Sequence, residues 1–532
     1  MSTGFRRLAA GLAAVATIAL GFTVALPADA QEMRRGGTLV YGKPKDAVKL
    51  DPQNVTDGES FDVTRHIFEN LVQFVDEKTE VRPGLAESWS VSNDGKTWTF
   101  KLRRGVKFHD GTPFNAQAVV FNFERMAYEN NPYHKGPFSY YASFFNGYPG
   151  DLEKVYAADE HTVVFQLKKP IAPFLSNLAT SSFGIMSPES VKKYGDDIFK
   201  NPVGTGPFKF VEWVPNERLV LEKNKDYWDR GKPILDRIIF RTIPENSVRV
   251  LELEKGSIHV MHGFDTDQAL RIRQNKDLKL YTQTGMNVGY LAMQTEKKPF
   301  DDKRVRQAIN MAVNKQALVK ALYGEFGNAA KNPMPPVLWG YNDAVQDYPY
   351  DPDRAKKLLA DAGYPNGFKS ELWAMPVARP YMPDARKAAE ALQADLRKIG
   401  VETEIVTMDW GVYLERTKKG DYNGLALLGW TGDNGDPDNF IFTLLGGPSR
   451  GGNNIAQYRN PKVDELLLRA QTLTDQKERA KLYEQAQVLI KEDAPWVPLV
   501  HSTQLGASRA NVVNYKLHPV GAHLLINVGF AK

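Results

Sequence analysis

Cysteine is absent from all 532 residues, which excludes disulfide bonds and lipidation on an N-terminal cysteine. Long apolar runs are scarce too. Beyond residue 30 no segment approaches about 18 uninterrupted apolar residues, so no later membrane-spanning helix is expected. Neither sign of charge is in excess: the formal net charge is +5, and removing Arg6, Arg7 and Asp29 with the first thirty residues leaves +4. So neutral a chain lacks the concentrated basic face that nucleic acid requires, and no nucleic-acid partner is expected. The catalytic and nucleotide-binding signatures H-E-x-x-H and G-x-x-x-x-G-K-[ST] are missing. So are internal repeats, low-complexity tracts and long linkers.

What is present begins at the N-terminus. Arg6 and Arg7 precede the apolar stretch "LAAGLAAVATIALGFTVAL", and "ADA" ends at Ala30. This is the pattern of a cleavable signal peptide, residues 1–30, and with no cysteine to lipidate it predicts a freely diffusing periplasmic protein. The remaining length calls for more than one domain. "ESWSVSNDGKTWTFKLRRGVKF" alternates about an Asp94–Gly95 turn, which predicts a hairpin. Asn115 is placed to cap the helix "AQAVVFNFERMAY", and "HTVVFQLKKP" alternates again.

From Asp301 onward helices and strands alternate, which indicates an open parallel or mixed α/β sheet. "DKRVRQAINMAVNKQALVKALYG" predicts one long amphipathic helix ending at Gly324. "DPDRAKKLLADAG" has Asp351 as cap and Gly363 as stop. Two loops then fall at the carboxyl ends of strands, where open α/β sheets hold ligands: "MPVARPY" with Arg379, and "GWTGDNGDPDNF" with Asp433.

The second loop carries Asp433, Asp436 and Asp438 without a lysine or arginine of its own. The spacing does not fit an EF-hand, since Phe440 falls where a third ligand belongs. Paired catalytic carboxylates and a structural Asx turn remain as readings. So does binding without chemistry. A zwitterion needs an anion for its ammonium and a cation for its carboxylate, and Asp433 and Arg379 supply both. The charged ends of a dipeptide lie within roughly 7 Å of one another. Trp410 and Trp430 flank the crevice as a possible aromatic wall, with Thr431, Gly432 and Tyr381 adjacent in sequence. Asp436 and Asp438 are expected to hold the turn and cap the helix after Pro437. His259 and His262 in "HVMH" are read as a strand, with no metal assigned.

"GLAESWSVSNDGKTWTFKLRRGVKFHDGTPFNAQAVVFNFER" resembles the signature region of the family 5 extracellular solute-binding proteins, which serve ABC importers for peptides and nickel. "NPVGTGPFKF", "LWAMPVARPY" and "GWTGDNGDPDNF" are similar to its dipeptide-binding members, in order along the mature chain. The resemblance implies a two-lobed α/β fold (cluster C, type II) with an extra subdomain in lobe one. Lobe one would be residues 31–284, its subdomain about 72–188, lobe two 285–501, and residues 502–532 a return to lobe one. Hinge strands would cross near "QTGMNVGY" and "LVHSTQLG". By the same resemblance Asp433 holds a ligand ammonium and Arg379 its carboxylate. The implied protein is a non-enzymatic monomer without a cofactor, passing dipeptides or tripeptides to an inner-membrane permease. Haem, glutathione and metal chelates stand as alternative ligands, and a secreted hydrolase as an alternative class. Relatives carry disulfides, so the loop "GGPSRGGNNIAQYRN" must be held by other means here.

Overall fold

The computed structural model describes residues 33–532; the signal-peptide expectation lies outside these residues. Its spine is a twelve-stranded mixed sheet, and the strand that organises it is Trp496–Arg509, fourteen residues long. The first part of this strand pairs antiparallel with Asn287–Met293, from Trp496 opposite Ala292 to Val500 opposite Gly289. The second part pairs with Leu278–Thr284, from Thr503 opposite Thr284 to Arg509 opposite Leu278. Gly506 also faces His262 on the short strand Val260–His262.

On one side the sheet continues through Gly424–Thr431, Phe368–Trp373 and Val401–Val406. The last three run parallel to one another. "GLALLGWT" is buried over its first six residues, as expected of a strand covered on both faces, where near-continuous apolar sequence replaces alternation. On the other side the sheet passes to Thr38–Lys43, Arg237–Thr242, Arg218–Lys223 and Phe208–Val214.

A separate four-stranded antiparallel sheet holds Ala86–Val91, Thr97–Leu102, Thr162–Leu167 and Leu152–Asp159. The predicted hairpin is its first pair. Helix Ala116–Ala127 packs on it, with the Asn115 side chain accepting from Ala118 N at 3.0 Å. The contact is aromatic: Phe123 meets Phe165 edge-on at 4.7 Å and stacks on Phe183 at 5.8 Å. Three main apolar cores follow this plan. One runs from Met286 to Val500, one from Leu71 to Ile185, and one gathers Leu39, Ile238 and Phe530 from opposite ends of the chain.

The long helix predicted up to Gly324 is two helices, Lys303–Ala312 and Lys315–Tyr323. Asn314 causes the break. Its side chain caps the second helix by accepting from Ala317 N at 3.0 Å, and its own N–H donates to Asp395 Oδ2 at 2.8 Å. An asparagine offered both partners does better as a cap than in a helix interior.

The cysteine-free loop 446–460 is held by hydrogen bonds. Asn454 Nδ2 donates to Gly446 O at 2.9 Å and to Tyr458 O at 2.8 Å, and Arg450 pairs with Glu296. Among the described residues no helix is long and apolar enough to cross a membrane.

Candidate functional site

The central strand Gly424–Thr431 sets Thr431 opposite Asn287 at the sheet's edge. There the chain leaves the ladder, and Gly432 N donates to Met286 O at 2.8 Å. The three aspartates that follow have different fates. Asp436 is buried and receives two hydrogen bonds from Arg479, each 2.7 Å, in the parallel fork that guanidinium and carboxylate favour. Asp436 Oδ1 also accepts from Asp438 N at 3.0 Å and so caps the helix Asp438–Leu445. Asp438 was expected to share in capping, but its carboxylate turns away to accept from Gln471 at 3.1 Å and the Tyr483 hydroxyl at 3.3 Å. Burial, then the neighbouring Asp436 charge, pushes its carboxyl up to about 7.

Asp433 has no cation within ion-pair distance among the described residues. It is half-buried. Its Oδ1 accepts from the Tyr140 hydroxyl at 2.9 Å, its Oδ2 from Asn439 Nδ2 at 3.1 Å, and its own N–H donates to Asn439 Oδ1 at 2.9 Å. Desolvation raises its carboxyl to about 6, against the lowering effect of the two hydrogen bonds. Asn439 also accepts from Trp430 Nε1 at 3.0 Å and fixes that ring beside the aspartate.

Arg379 lies beyond the end of Phe368–Trp373, in a tight loop closed by two backbone hydrogen bonds with Met382, 3.0 and 2.9 Å. Two glycines let this loop sit on the sheet. A Cβ on Gly429 would come within 2.2 Å of the Tyr381 ring, and one on Gly289 within 2.4 Å of the Tyr381 carbonyl. That carbonyl also accepts from the Tyr323 hydroxyl at 2.8 Å. Tyr381 is therefore clamped, and burial raises its hydroxyl to about 12 although Arg379 acts in the opposite sense. Arg379 itself is exposed. Its guanidinium lies 5.8 Å over the Trp410 ring and donates to Ala378 O at 3.2 Å. No carboxylate pairs with it among the described residues.

Arg379, Tyr381, Trp430, Thr431, Gly432 and Asp433 all line one cavity of about 1800 Å³, together with Trp410. The cavity's other wall comes from the N-terminal part of the chain and includes Tyr140. Tyr140, Asn439 and Tyr323 were not singled out in the sequence. Tyr140 sits in "FSYYASFF", where an aromatic cluster reads as core, and only the tertiary fold carries its hydroxyl to Asp433.

The two histidines of "HVMH" diverge. His259 Nδ1 accepts from Val40 N at 2.9 Å. His262 lies with Asp62 and His523, their potential ligand atoms within 4.8 Å. The His262 and His523 rings are stacked, 4.7 Å apart with planes inclined by 28°. Nearly parallel imidazoles do not converge on one ion, which must lie close to the plane of each ring.

A mixed α/β sheet shared by two halves, with a large cavity walled by both, defines a bilobal binding protein of the type II periplasmic class. The chain belongs to the bacterial extracellular solute-binding proteins, family 5, whose middle-region model matches residues 80–452. It is 42% identical to the dipeptide-binding protein of Escherichia coli K12 over 511 residues, covering 92% of this chain and 94% of that protein. It is 40% identical to heme-binding protein A of Haemophilus influenzae, covering 91% of this chain and 90% of that one. The structure of a dipeptide-binding protein from Pseudoalteromonas sp. SM9913 in complex with Met-Leu superposes with a TM-score of 0.82 at 34% identity, covering 93% of this chain and 100% of that one.

Proposed function

We propose that the protein is the periplasmic receptor of an ABC importer, capturing dipeptides, and tripeptides by extension, by their charged termini. It then passes them to the inner-membrane permease as a monomer and without chemistry. The observation that carries this reading is a pair of unanswered charges. Asp433 is a half-buried carboxylate without a cation, Arg379 is a guanidinium without an anion, and both line one cavity. A zwitterion answers both. Each charged hydrogen bond, shielded from water on closure, contributes about 1.5–3 kcal/mol. The Met-Leu complex of the relative and the dipeptide-binding protein of Escherichia coli support the same ligand class.

In this reading lobe one is 31–284 with its subdomain at about 72–188, lobe two is 285–501, and 502–532 returns to lobe one. The double pairing of Trp496–Arg509 supports a hinge there. Calorimetry with Gly-Leu, its N-acetyl form and its amide tests the model. Gly-Leu should bind at least about tenfold more tightly than either blocked form, and Asp433→Asn and Arg379→Ala should each cost about tenfold or more. Equal affinity for the blocked ligands would end it, and ligand breakdown would point to a hydrolase.

Haem is a second reading, favoured by the cavity volume of about 1800 Å³, which exceeds the needs of a dipeptide, and by the heme-binding relative. A Soret shift on equimolar haemin that Gly-Leu reverses would support it.

A further inference from the structure

The cavity holds a second unanswered cation. Helix Gly58–Ile67 lines it with Phe61, Asp62 and Arg65. Arg65 stands in the last turn, where the helix dipole favours a positive charge. Its Nε donates to Phe61 O at 2.8 Å, which leaves both terminal amino groups of the fork. Among the described residues no carboxylate lies within ion-pair distance of it. Asp62, one turn earlier, is directed instead at His262, 3.7 Å away. Glu59, on the same helix, pairs with Lys43 at 3.4 Å. His518 and His523 also flank Arg65, and their burial holds both rings below the ordinary histidine range. Desolvation lowers the Arg65 guanidinium as well, against the opposite pull of Asp62 and Tyr41.

The position relative to Asp433 is traceable. Tyr140 donates to Asp433 at 2.9 Å, the Tyr140 ring meets the Phe61 ring edge-on at 5.9 Å, and the Phe61 carbonyl accepts from Arg65. This run of contacts joins Asp433 to Arg65 along one wall of the cavity, the wall a peptide held at Asp433 would meet with its first side chain. We propose that Arg65 is a second anion anchor in the cleft, taking a further carboxylate of the bound peptide beyond the one assigned to Arg379. This rests on the peptide reading above. The carboxylate is that of an acidic first residue or, in a longer ligand whose terminus passes beyond Arg379, that terminus.

Calorimetry on the mature protein separates these. Wild type should prefer Glu-Leu over the isosteric Gln-Leu by about tenfold, and this ratio should fall to about one in Arg65→Gln and persist in part in Arg65→Lys. If the ratio that collapses in Arg65→Gln is Gly-Gly-Leu over its amide, the anchor stands and its partner is the terminus. Gly-Leu binding with neither ratio altered by the substitution overturns the inference and leaves the peptide reading intact. Failure of every peptide to bind overturns both. Should Arg65→Gln not fold by circular dichroism, the wild-type Glu-Leu over Gln-Leu ratio decides: a value near one overturns the proposal.

Discussion

At the scale of single residues, the most consequential group is Asp433, because crowding raises its carboxyl to about 6. A folded value above the unfolded one means that the folded state holds the proton more tightly. Stability is therefore lost as pH rises from about 4 to about 6 and is fully restored only below the unfolded value. For a half-buried group the effect is of order 1–3 kcal/mol. Ligand-free protein should lose thermal stability across this window, and Asp433→Asn should remove that part of the pH dependence. Ligand affinity runs the other way. An ammonium needs the ionised form, so the Gly-Leu dissociation constant should rise about tenfold per pH unit below 6. Calorimetry between pH 4.5 and 7.5 checks it, and a flat profile would contradict it.

Among elements, the turn after Thr431 shows what one line of sequence conceals. Its three aspartates look alike, and their separation into a buried ion pair, a buried acid turned away from the helix cap and a carboxylate left open to the cavity depends on Arg479, Gln471 and Tyr140, which are remote in sequence. Arg479→Ala would leave Asp436 buried and unpaired, and should lower stability by about 3–5 kcal/mol in chemical denaturation. The Arg379 loop makes a different prediction. Gly429→Ala puts a methyl where the Tyr381 ring now lies, which should displace the loop and weaken Gly-Leu binding about tenfold or more with the fold retained. Unchanged affinity would show that Tyr381 does not position Arg379.

Local signals were legible. The Asn115 and Asp351 caps, the Asp94–Gly95 hairpin and the strand before Asp433 follow from turn chemistry and apolar patterning. The Asn314 break was not, because its cause is Asp395, more than eighty residues away in sequence. Nor were Tyr140, in an aromatic run that reads as core, and Arg65, in the last turn of a helix where a basic residue is ordinary.

For the whole molecule, contacts tie the antiparallel subdomain to the turn beside Asp433. Asn434 Nδ2 donates to Asn177 Oδ1 at 2.7 Å, and Ala172 N to Gln471 O at 2.9 Å. On the proposed grip from both walls, a ligand binds only when these parts are folded together. Gly-Leu at about 100 times its dissociation constant should add about 2.7 kcal/mol, with Tm climbing as concentration rises. A Tm indifferent to Gly-Leu would exclude specific binding.

The fourteen-residue strand Trp496–Arg509 has a further consequence for biogenesis. The sheet that opens with Thr38–Lys43 receives strand partners from the far end of the polypeptide, and Met33–Arg34 pairs with Gly529–Ala531. A ribosome emitting this chain cannot finish the N-terminal half first, because the strands that complete it are translated last.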